Sequence, residues 1–292
     1  MKDKIIQGAN QYSQYITTNV PQLDENGNVK YYFSGSLAML LLSSAQSIKP
    51  LQVDKEGKVI FQQEEVELTD KQKEYLAAGV RPIGIDVDIV EVDEKAFVGH
   101  CGVYNLQAVR ENCDLATELC PSWQKGGGTM YFDTLTDERE FAQYDVAQLT
   151  MEDGSVIYIA DPMTLVAHKL ADAIHYQKVL DNLKEKGTAT PEVLAAKQAQ
   201  YDKDIKDFTS MFNCLASLYP ETDFNQLMER VLKNCPQTAF ASLMSRESGD
   251  RLDRFFEDAK GHVDEENQES FGEFMGAAKH QNQVVLAKQS AQ

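Results

Sequence analysis

The 292-residue sequence lacks the features that mark membrane-spanning, secreted or nucleic-acid-coating proteins. Its longest apolar run, at residues 37–42, is far too short to cross a bilayer, which takes about 20 residues. No charged-then-apolar signal peptide opens the chain, so we expect a cytoplasmic protein with no membrane partner. Basic residues are few, 28 against 46 acidic ones, and the net charge of −18 opposes broad binding to nucleic acid phosphates.

Several catalytic and metal-binding patterns are also missing. The five cysteines form no CxxC pair, and Cys113 and Cys120 have no nearby His, which argues against a zinc knuckle and for reduced, mostly buried thiols. The glycine run at residues 126–128 lacks the Lys-Ser/Thr of a P-loop, and neither GxSxG nor HExxH occurs. The common ATPase, serine hydrolase and zinc protease signatures are therefore absent.

The composition that is present, 42% hydrophobic and 9% aromatic, is that of a globular protein. Glycines and β-branched runs alternate with short helical patterns up to about Asp161, which favours a mixed sheet with helices. Asp161-Pro162 then provides an N-cap and a first-turn proline, and the rest of the sequence is almost entirely helical. We predict an α+β protein with domains at residues 1–160 and 161–292.

Turn and capping signals give a more detailed prediction, with a hairpin at Asp153-Gly154, a helix N-cap at Thr69 and a helix end at Gly187. Strands are expected at residues 31–33, 51–53, 59–61, 83–92, 129–135, 145–151 and 155–160. Helices are expected at residues 37–48, 69–77, 106–119, 161–185, 190–219, 223–233, 239–260 and 266–279, followed by a frayed tail.

Asp86 and Asp88 form the most informative pair in the predicted strand at residues 83–92. Side chains two residues apart project from the same face of a strand, so both carboxylates can meet while Ile85, Val87 and Ile89 face a core. Carboxylate oxygens are the ligands that Mg²⁺ or Mn²⁺ prefers. The alternative is that both aspartates simply lie on the solvent-exposed face of a half-buried strand.

Gly35-Ser36 lies between a predicted strand and a predicted helix. Backbone N–H groups and a hydroxyl at a helix N-terminus can hold an anionic phosphate. The alternative is an ordinary turn in which Gly35 supplies an unusual backbone conformation. Combined with the aspartate pair, the turn predicts a metal-assisted nucleotide site.

The sequences FSGSLA from Phe33 and RPIGIDVDI from Arg81 resemble the Gly-Ser and Asp-x-Asp signature of the nucleotidyltransferase superfamily related to DNA polymerase beta. The branch that the chain resembles is the AbiEii/AbiGii toxin group of type IV toxin–antitoxin systems, which is bacterial. Three later elements follow in the family's order. They are a strand with Asp133, a helical motif PMTLVAHK whose last residue is Lys169, and the motif KDIKDF, which contains Asp204 and Asp207. The likeness covers about residues 31–218.

This resemblance implies a nucleotidyltransferase-like mixed sheet followed by a helical domain. It implies transfer of a nucleoside monophosphate from an NTP to a hydroxyl acceptor, with release of pyrophosphate. The implied metal ligands for Mg²⁺ or Mn²⁺ are Asp86, Asp88 and Asp133, which are also the implied catalytic residues. The implied nucleotide-binding residues are Gly35, Ser36, Arg81, Lys169, Asp204 and Asp207.

For the residues of the helical half, alternatives stay open. Lys169 can equally be a surface lysine whose stem packs on its helix. Asp204 and Asp207 are either a solvated helix face or groups that position Lys169 or the nucleotide. Lys203 stands where the family usually has Arg, which keeps the charge but loses a bidentate fork.

The sequence also departs from the family in one spacing. Ser36 and Asp86 are 50 residues apart, which predicts an insertion at about residues 51–78 that acts as a lid or binds the acceptor. The family resemblance admits tRNA ends, proteins or small molecules as acceptors, and the negative charge favours a protein or small molecule. It also implies a cognate antitoxin. The alternative from another class is a non-catalytic nucleotide-binding or protein-interaction module on the same fold.

Overall fold

The computed structural model describes residues 2–78, 87–92, 104–105, 129–130, 132–134, 143–187, 189–218, 223–225 and 248–290. Its elements in chain order are α1 Lys2–Asn19, β1 Tyr31–Phe33, α2 Gly35–Leu42, β2 Ala45–Asp54, β3 Val59–Gln62, β4 Val66–Glu67, α3 Asp70–Ala78, β5 Val87–Glu91, β6 Tyr104–Asn105, β7 Thr129–Met130, β8 Phe132–Thr134, β9 Gln143–Met151, β10 Val156–Ala160, α4 Pro162–Lys186, α5 Pro191–Leu218, α6 Ser248–Lys260, a 3-10 turn Glu265–Asn267 and α7 Gln268–Ser290.

Contacts between Cα atoms divide the chain into two compact units, Met1–Asp161 and Pro162–Gln292. The first unit holds a mixed sheet with helices and the described part of the second is helical, so the coarse α+β class is confirmed. No helix among the described residues is long and apolar enough to cross a membrane.

The main sheet of the first unit has the strand order β3-β2-β9-β10-β1-β5-β8, with β4 also paired to β2. Parallel pairs occur at β1–β10 and β5–β8, and the other pairs are antiparallel. β6 and β7 form a separate two-stranded sheet. Helix α2 covers the sheet with a nearly all-apolar sequence, and its residues from Leu37 to Leu42 are buried.

Two local signals in the first unit are confirmed. The hairpin predicted at Asp153-Gly154 joins β9 to β10, and Gly154 has a φ of +80°. Helix α3 begins with a reciprocal capping box: the Gln72 backbone N–H donates to the Thr69 hydroxyl, and the Thr69 N–H donates to the Gln72 side-chain oxygen. Both motifs depend on contacts within a few residues, which is why the sequence predicts them well.

The helix predicted at residues 37–48 is wrong over its second half. Helix α2 ends at Leu42, where the hydroxyl groups of Ser43 and Ser44 donate to the last helical carbonyls. The chain then enters β2, which pairs with β9 along its whole length from Ala45 to Asp54. Strand pairing across 100 residues of sequence therefore overrides a local apolar pattern.

The first part of the insertion expected at residues 51–78 does not form a lid beside the aspartate pair. Residues 51–54 are the second half of β2, inside the main sheet. β3 follows at the far edge of that sheet, five strand positions from β5, which corresponds to roughly 24 Å at about 4.8 Å per strand. This edge strand is therefore remote from β5, which carries Asp88.

Helix α1 was not expected from the sequence. Its buried apolar side chains follow helical spacing and are Ile5, Ala9, Tyr12 and Ile16. The polar residues between them conceal this stripe when only apolar runs are counted.

The second unit is built around phenylalanines. Phe208 on α5 packs edge-on against Phe255 of α6, with ring centroids 4.9 Å apart, and it also contacts Phe271 and Phe274 of α7. The predicted start of α4 after Asp161 and its end at Gly187, with a φ of +60°, are confirmed. These signals fix where the helices begin and end, and the aromatic rings fix how they pack.

The predicted frayed tail is wrong for most of its length. Helix α7 continues to Ser290, and Asn282 is 3% exposed within it. Alanine, glutamine and leucine have high helix propensity, so a tail rich in them extends a packed helix readily. The predicted helix at residues 106–119, most of the one at 223–233 and the start of the strand at 83–92 lie outside the described residues.

We expect Gly57→Ala to destabilise the protein far more than Gly154→Ala. Both glycines have a left-handed φ, +78° and +80°, but a Cβ at Gly57 would lie 2.0 Å from the Val29 carbonyl oxygen, whereas Gly154 has open space. The free energy of unfolding should fall by about 1 kcal/mol in Gly154→Ala and by about 3 kcal/mol or more in Gly57→Ala. Urea unfolding followed by circular dichroism measures both, and equal losses would contradict the close approach.

Candidate functional site

The predicted phosphate-binding turn follows β1 directly. Ser34 is extended, with φ −129° and ψ −169°, and Gly35 opens α2 with a φ of +58°. The unusual backbone at Gly35 is the feature that the ordinary-turn alternative predicts. The Ala38 N–H donates to the Ser34 carbonyl at 3.2 Å, and the preceding N–H groups have no partner inside the helix, as in the first turn of any α-helix.

The strand that carries Asp88 is the neighbour of β1. β1 and β5 are antiparallel, with Phe33 opposite Ile89, so the end of β1 lies beside the start of β5. Ile89 is fully buried, as the predicted alternation requires. The Gly35 turn and the backbone of Asp88 therefore lie at the same end of the sheet.

Asp133 lies on the next strand at the same level. β5 and β8 are parallel, and the register pairs Asp88 with Asp133. Paired positions on neighbouring strands are about 5 Å apart, although these two residues are 45 apart in sequence. The structure thus brings together, at the level of the backbone, three of the predicted elements: the turn and two of the three aspartates.

For the other predicted site residues of the first unit, the structure describes either nothing or the backbone alone. Asp86 and Arg81 are outside the described residues, and for Ser36, Asp88 and Asp133 only the backbone is described. Among the described side chains, no group of three or more His, Cys, Asp or Glu could hold a metal ion. The metal hypothesis therefore depends on the register of Asp88 and Asp133 and on the chemistry of carboxylates.

A second set of predicted residues meets in the second unit, between α4 and α5. The Lys169 ammonium donates to Asp172 at 3.1 Å and lies 4.0 Å from the nearer carboxylate oxygen of Asp204. The Lys169 side chain is only 12% exposed, and Asp204 and Asp207 are 1% and 2% exposed. The surface-lysine and solvated-face alternatives are therefore wrong for these residues.

One ammonium faces three carboxylates in this cluster. Burial alone would lower the pKa of Lys169, but Asp172, Asp204 and Asp207 together raise it, so the lysine is charged. Burial raises the pKa of Asp204 to about 6, although Lys169 lowers it in part. The second oxygen of Asp204 is buried and has no hydrogen-bond partner in the described part of the chain. The cluster is therefore short of positive charge and of donors.

Asp172 was missed by the sequence reasoning, although it makes the shortest contact to Lys169. Its position three residues after Lys169 on the same helix is a usable signal for such a pair. The neighbouring His168 is partly buried, and its Nε2 is buried with no hydrogen-bond partner among the described residues. Burial lowers the pKa of His168 to about 4, so its ring is neutral at pH 7.

Comparison with known proteins found no relative: no family model, no curated protein and no solved structure matches the chain.

We expect Lys169→Met to lower the free energy of unfolding by about 3–5 kcal/mol, because it leaves Asp204 and Asp207 buried without their ammonium. Lys184→Met is the control, since Lys184 is exposed on the same helix, and it should change stability by less than about 0.5 kcal/mol. Adding Asp204→Asn to Lys169→Met should recover part of the loss. Guanidinium unfolding at pH 7 measures all three, and equal losses in both lysine variants would contradict the buried ion cluster.

The stability should also depend on pH through Asp204. Its pKa is raised from 3.8 to about 6 in the folded protein, so the folded state binds more protons than the unfolded state between these values. The stabilisation from this proton is complete below about pH 4 and is lost as the pH rises through about 6. Relative to Asp204→Asn, the parent should therefore lose stability from pH 4 to pH 7.

Unfolding by urea at several pH values within this window measures that difference. Asp202→Asn is the matched control, because Asp202 is an exposed carboxylate on the same helix that accepts a hydrogen bond from Gln198. A parent curve that runs parallel to that of Asp204→Asn would show that the pKa of Asp204 is not raised.

Proposed function

We propose that this chain is a metal-dependent nucleotidyltransferase that moves a nucleoside monophosphate from an NTP to a hydroxyl acceptor and releases pyrophosphate. The observation that carries the proposal is the register of Asp88 and Asp133 on parallel neighbouring strands, beside the turn at Gly35. The backbones of three distant parts of the sequence lie at one end of the sheet, which supports a shared site there.

The turn suits a phosphate for a physical reason. The first N–H groups of α2 are directed out of the helix, and the helix dipole places partial positive charge at the same end. Gly35 adopts a left-handed φ of +58°, a conformation that glycine reaches without strain. We assign Gly35 and Ser36 to the terminal phosphates of the NTP, and Arg81 to the same nucleotide.

The carboxylates suit a divalent cation. Asp86, Asp88 and Asp133 would hold Mg²⁺ or Mn²⁺, since hard cations prefer carboxylate oxygens. When bound, such an ion neutralises charge on the phosphates and lowers the pKa of a coordinated hydroxyl. Without it, two or three carboxylates at one end of a sheet repel one another and the triphosphate.

In the second unit, we assign Lys169 a nucleotide-binding role and Asp204 and Asp207 the role of positioning it. The support is the geometry of the cluster, in which the buried Asp204 of α5 lies 4.0 Å from the charged Lys169 of α4 and the charge of Asp207 also raises the pKa of this lysine. A lysine fixed in this way loses little side-chain entropy on meeting an anionic ligand.

The acceptor proposed is a protein or a small molecule rather than a long nucleic acid. A net charge of −18 repels a polyphosphate chain, whereas a single triphosphate is offset by metal ions. A cognate antitoxin is the macromolecular partner that the family resemblance suggests.

The test is nucleotide transfer by Asp88→Asn and Asp133→Asn. With Mg²⁺ and each common NTP labelled at the α-phosphate, both variants should lose transfer and pyrophosphate release by about 100-fold or more. Glu91→Gln is the control, because Glu91 lies at the other end of β5, opposite Tyr31, and should retain activity.

Two outcomes would contradict the proposal. Turnover that survives Asp88→Asn in a folded protein would remove the assigned metal ligand. NTP binding by the parent with no pyrophosphate release over long incubation would instead favour the non-catalytic nucleotide-binding module.

A further inference from the structure

β3 is an edge strand with an unusual surface. It ends the strand order of the main sheet, and all four of its residues are exposed. Val59, Ile60 and Phe61 are 40%, 51% and 52% exposed, and they are three of the five large hydrophobic residues that are exposed in the described part of the chain. A contiguous apolar patch of this kind is typical of an interaction surface.

The edge lacks most of the usual protection against pairing with another strand. Neither Lys nor Pro occurs within Val59–Gln62, and no strand or helix among the described elements pairs with its outer side. Two protective features are present: the strand has only four residues, and its register against β2 shifts between Gln52 and Val53, which leaves Ile60 as an extra residue on β3. The irregularity shortens the stretch available for pairing but leaves the apolar side chains exposed.

Charged residues of opposite sign flank the two ends of this strand. Lys58 precedes the apolar residues and Glu64 follows them, and both are exposed. Neither side chain makes an ion pair within the described ranges. In an antiparallel pair related by a two-fold axis near Phe61, Lys58 of each copy comes close to Glu64 of the other. Two copies of this strand can therefore pair antiparallel with the basic end of each beside the acidic end of the other.

We propose that β3 pairs antiparallel with β3 of a second copy of this chain, giving a two-fold dimer with a sheet continuous across both copies. The backbone groups of the outer edge supply the hydrogen bonds, and Lys58 and Glu64 supply two ion pairs. In this register Phe61 of one copy lies opposite Phe61 of the other and supplies the apolar contact, while Val59 and Ile60 lie opposite Gln63 and Gln62.

The short strand makes this dimer a weak one. An interface built around four residues a side falls at the low end of specific interfaces, so we expect a dissociation constant in the micromolar range. Each copy carries a charge of −18, so association should be measured at physiological salt, where repulsion beyond about 8 Å is screened.

Sedimentation velocity of the full chain over low to high micromolar concentrations tests the proposal. The parent should shift from the 32.8 kDa monomer towards twice that mass as concentration rises. Phe61→Lys should remove the shift, whereas Val156→Lys should not, because Val156 is an equally exposed apolar residue, 45% exposed, on the interior strand β10. Circular dichroism establishes that each variant is folded.

Charge exchange tests the orientation of the strands. Lys58→Glu and Glu64→Lys should each weaken the dimer about tenfold, because each creates two like-charged pairs, and the double exchange should restore parental affinity. Phe61→Cys should give disulfide-linked dimers under mild oxidation, whereas Val156→Cys should not. A monomer throughout the concentration range, or a dimer that these substitutions leave unchanged, would overturn the proposal.

Discussion

The candidate site of the first unit depends on the pairing of β1, a strand of only three residues. β1 joins the two halves of the main sheet, because it pairs with β10 on one side and with β5 on the other. The turn at Gly35 and the backbone of Asp88 share one end of the sheet only while this pairing holds. A strand this short has few ladder hydrogen bonds, and Gln22 compensates. Its buried side chain donates to the Tyr158 carbonyl at 2.7 Å and accepts from the Tyr158 N–H at 2.8 Å, next to the point where β1 meets β10.

The second unit contains a contrast between two kinds of ion pair. Asp181 accepts two hydrogen bonds from the half-exposed Arg254, at 3.1 and 2.7 Å, and a third from Arg251 at 3.4 Å, so this carboxylate has donors and positive charge in excess. At Lys169, one ammonium faces three carboxylates, and one buried oxygen of Asp204 has no hydrogen-bond partner among the described residues. Such an arrangement destabilises the folded state, because desolvation of each carboxylate costs several kcal/mol. Its persistence beside a charged lysine is more easily explained by a task that needs that lysine in one place than by stability.

The sequence predicted those features that arise within a few residues of chain, and it failed where distant segments compete. Glycine turns, the capping box at Thr69 and the helix start after Asp161 require only local hydrogen bonds, and all are present. The end of α2 and the course of β2 depend on β9, which lies 100 residues later, so local apolarity was misleading. In the same way, the family likeness gave the order of Asp88 and Asp133 but not their register. The burial of Asp204 follows from the packing of α4 on α5, whereas the contact of Asp172 with Lys169 is local, three residues along one helix.

The position of β3 separates self-association from chemistry. β3 lies five strand positions from β5. A dimer joined through β3 would therefore keep its two Asp88 positions roughly 50 Å apart along the sheet. At that distance, charges are screened from one another at physiological salt, and no side chain of one copy reaches the aspartates of the other. Nucleotide transfer per chain should therefore be the same in monomer and dimer. The strands that carry the aspartates lie at the opposite side of the sheet from the shared edge. If the rate of transfer per chain changed with protein concentration, the second copy would therefore have to act by contacting the acceptor rather than the aspartates.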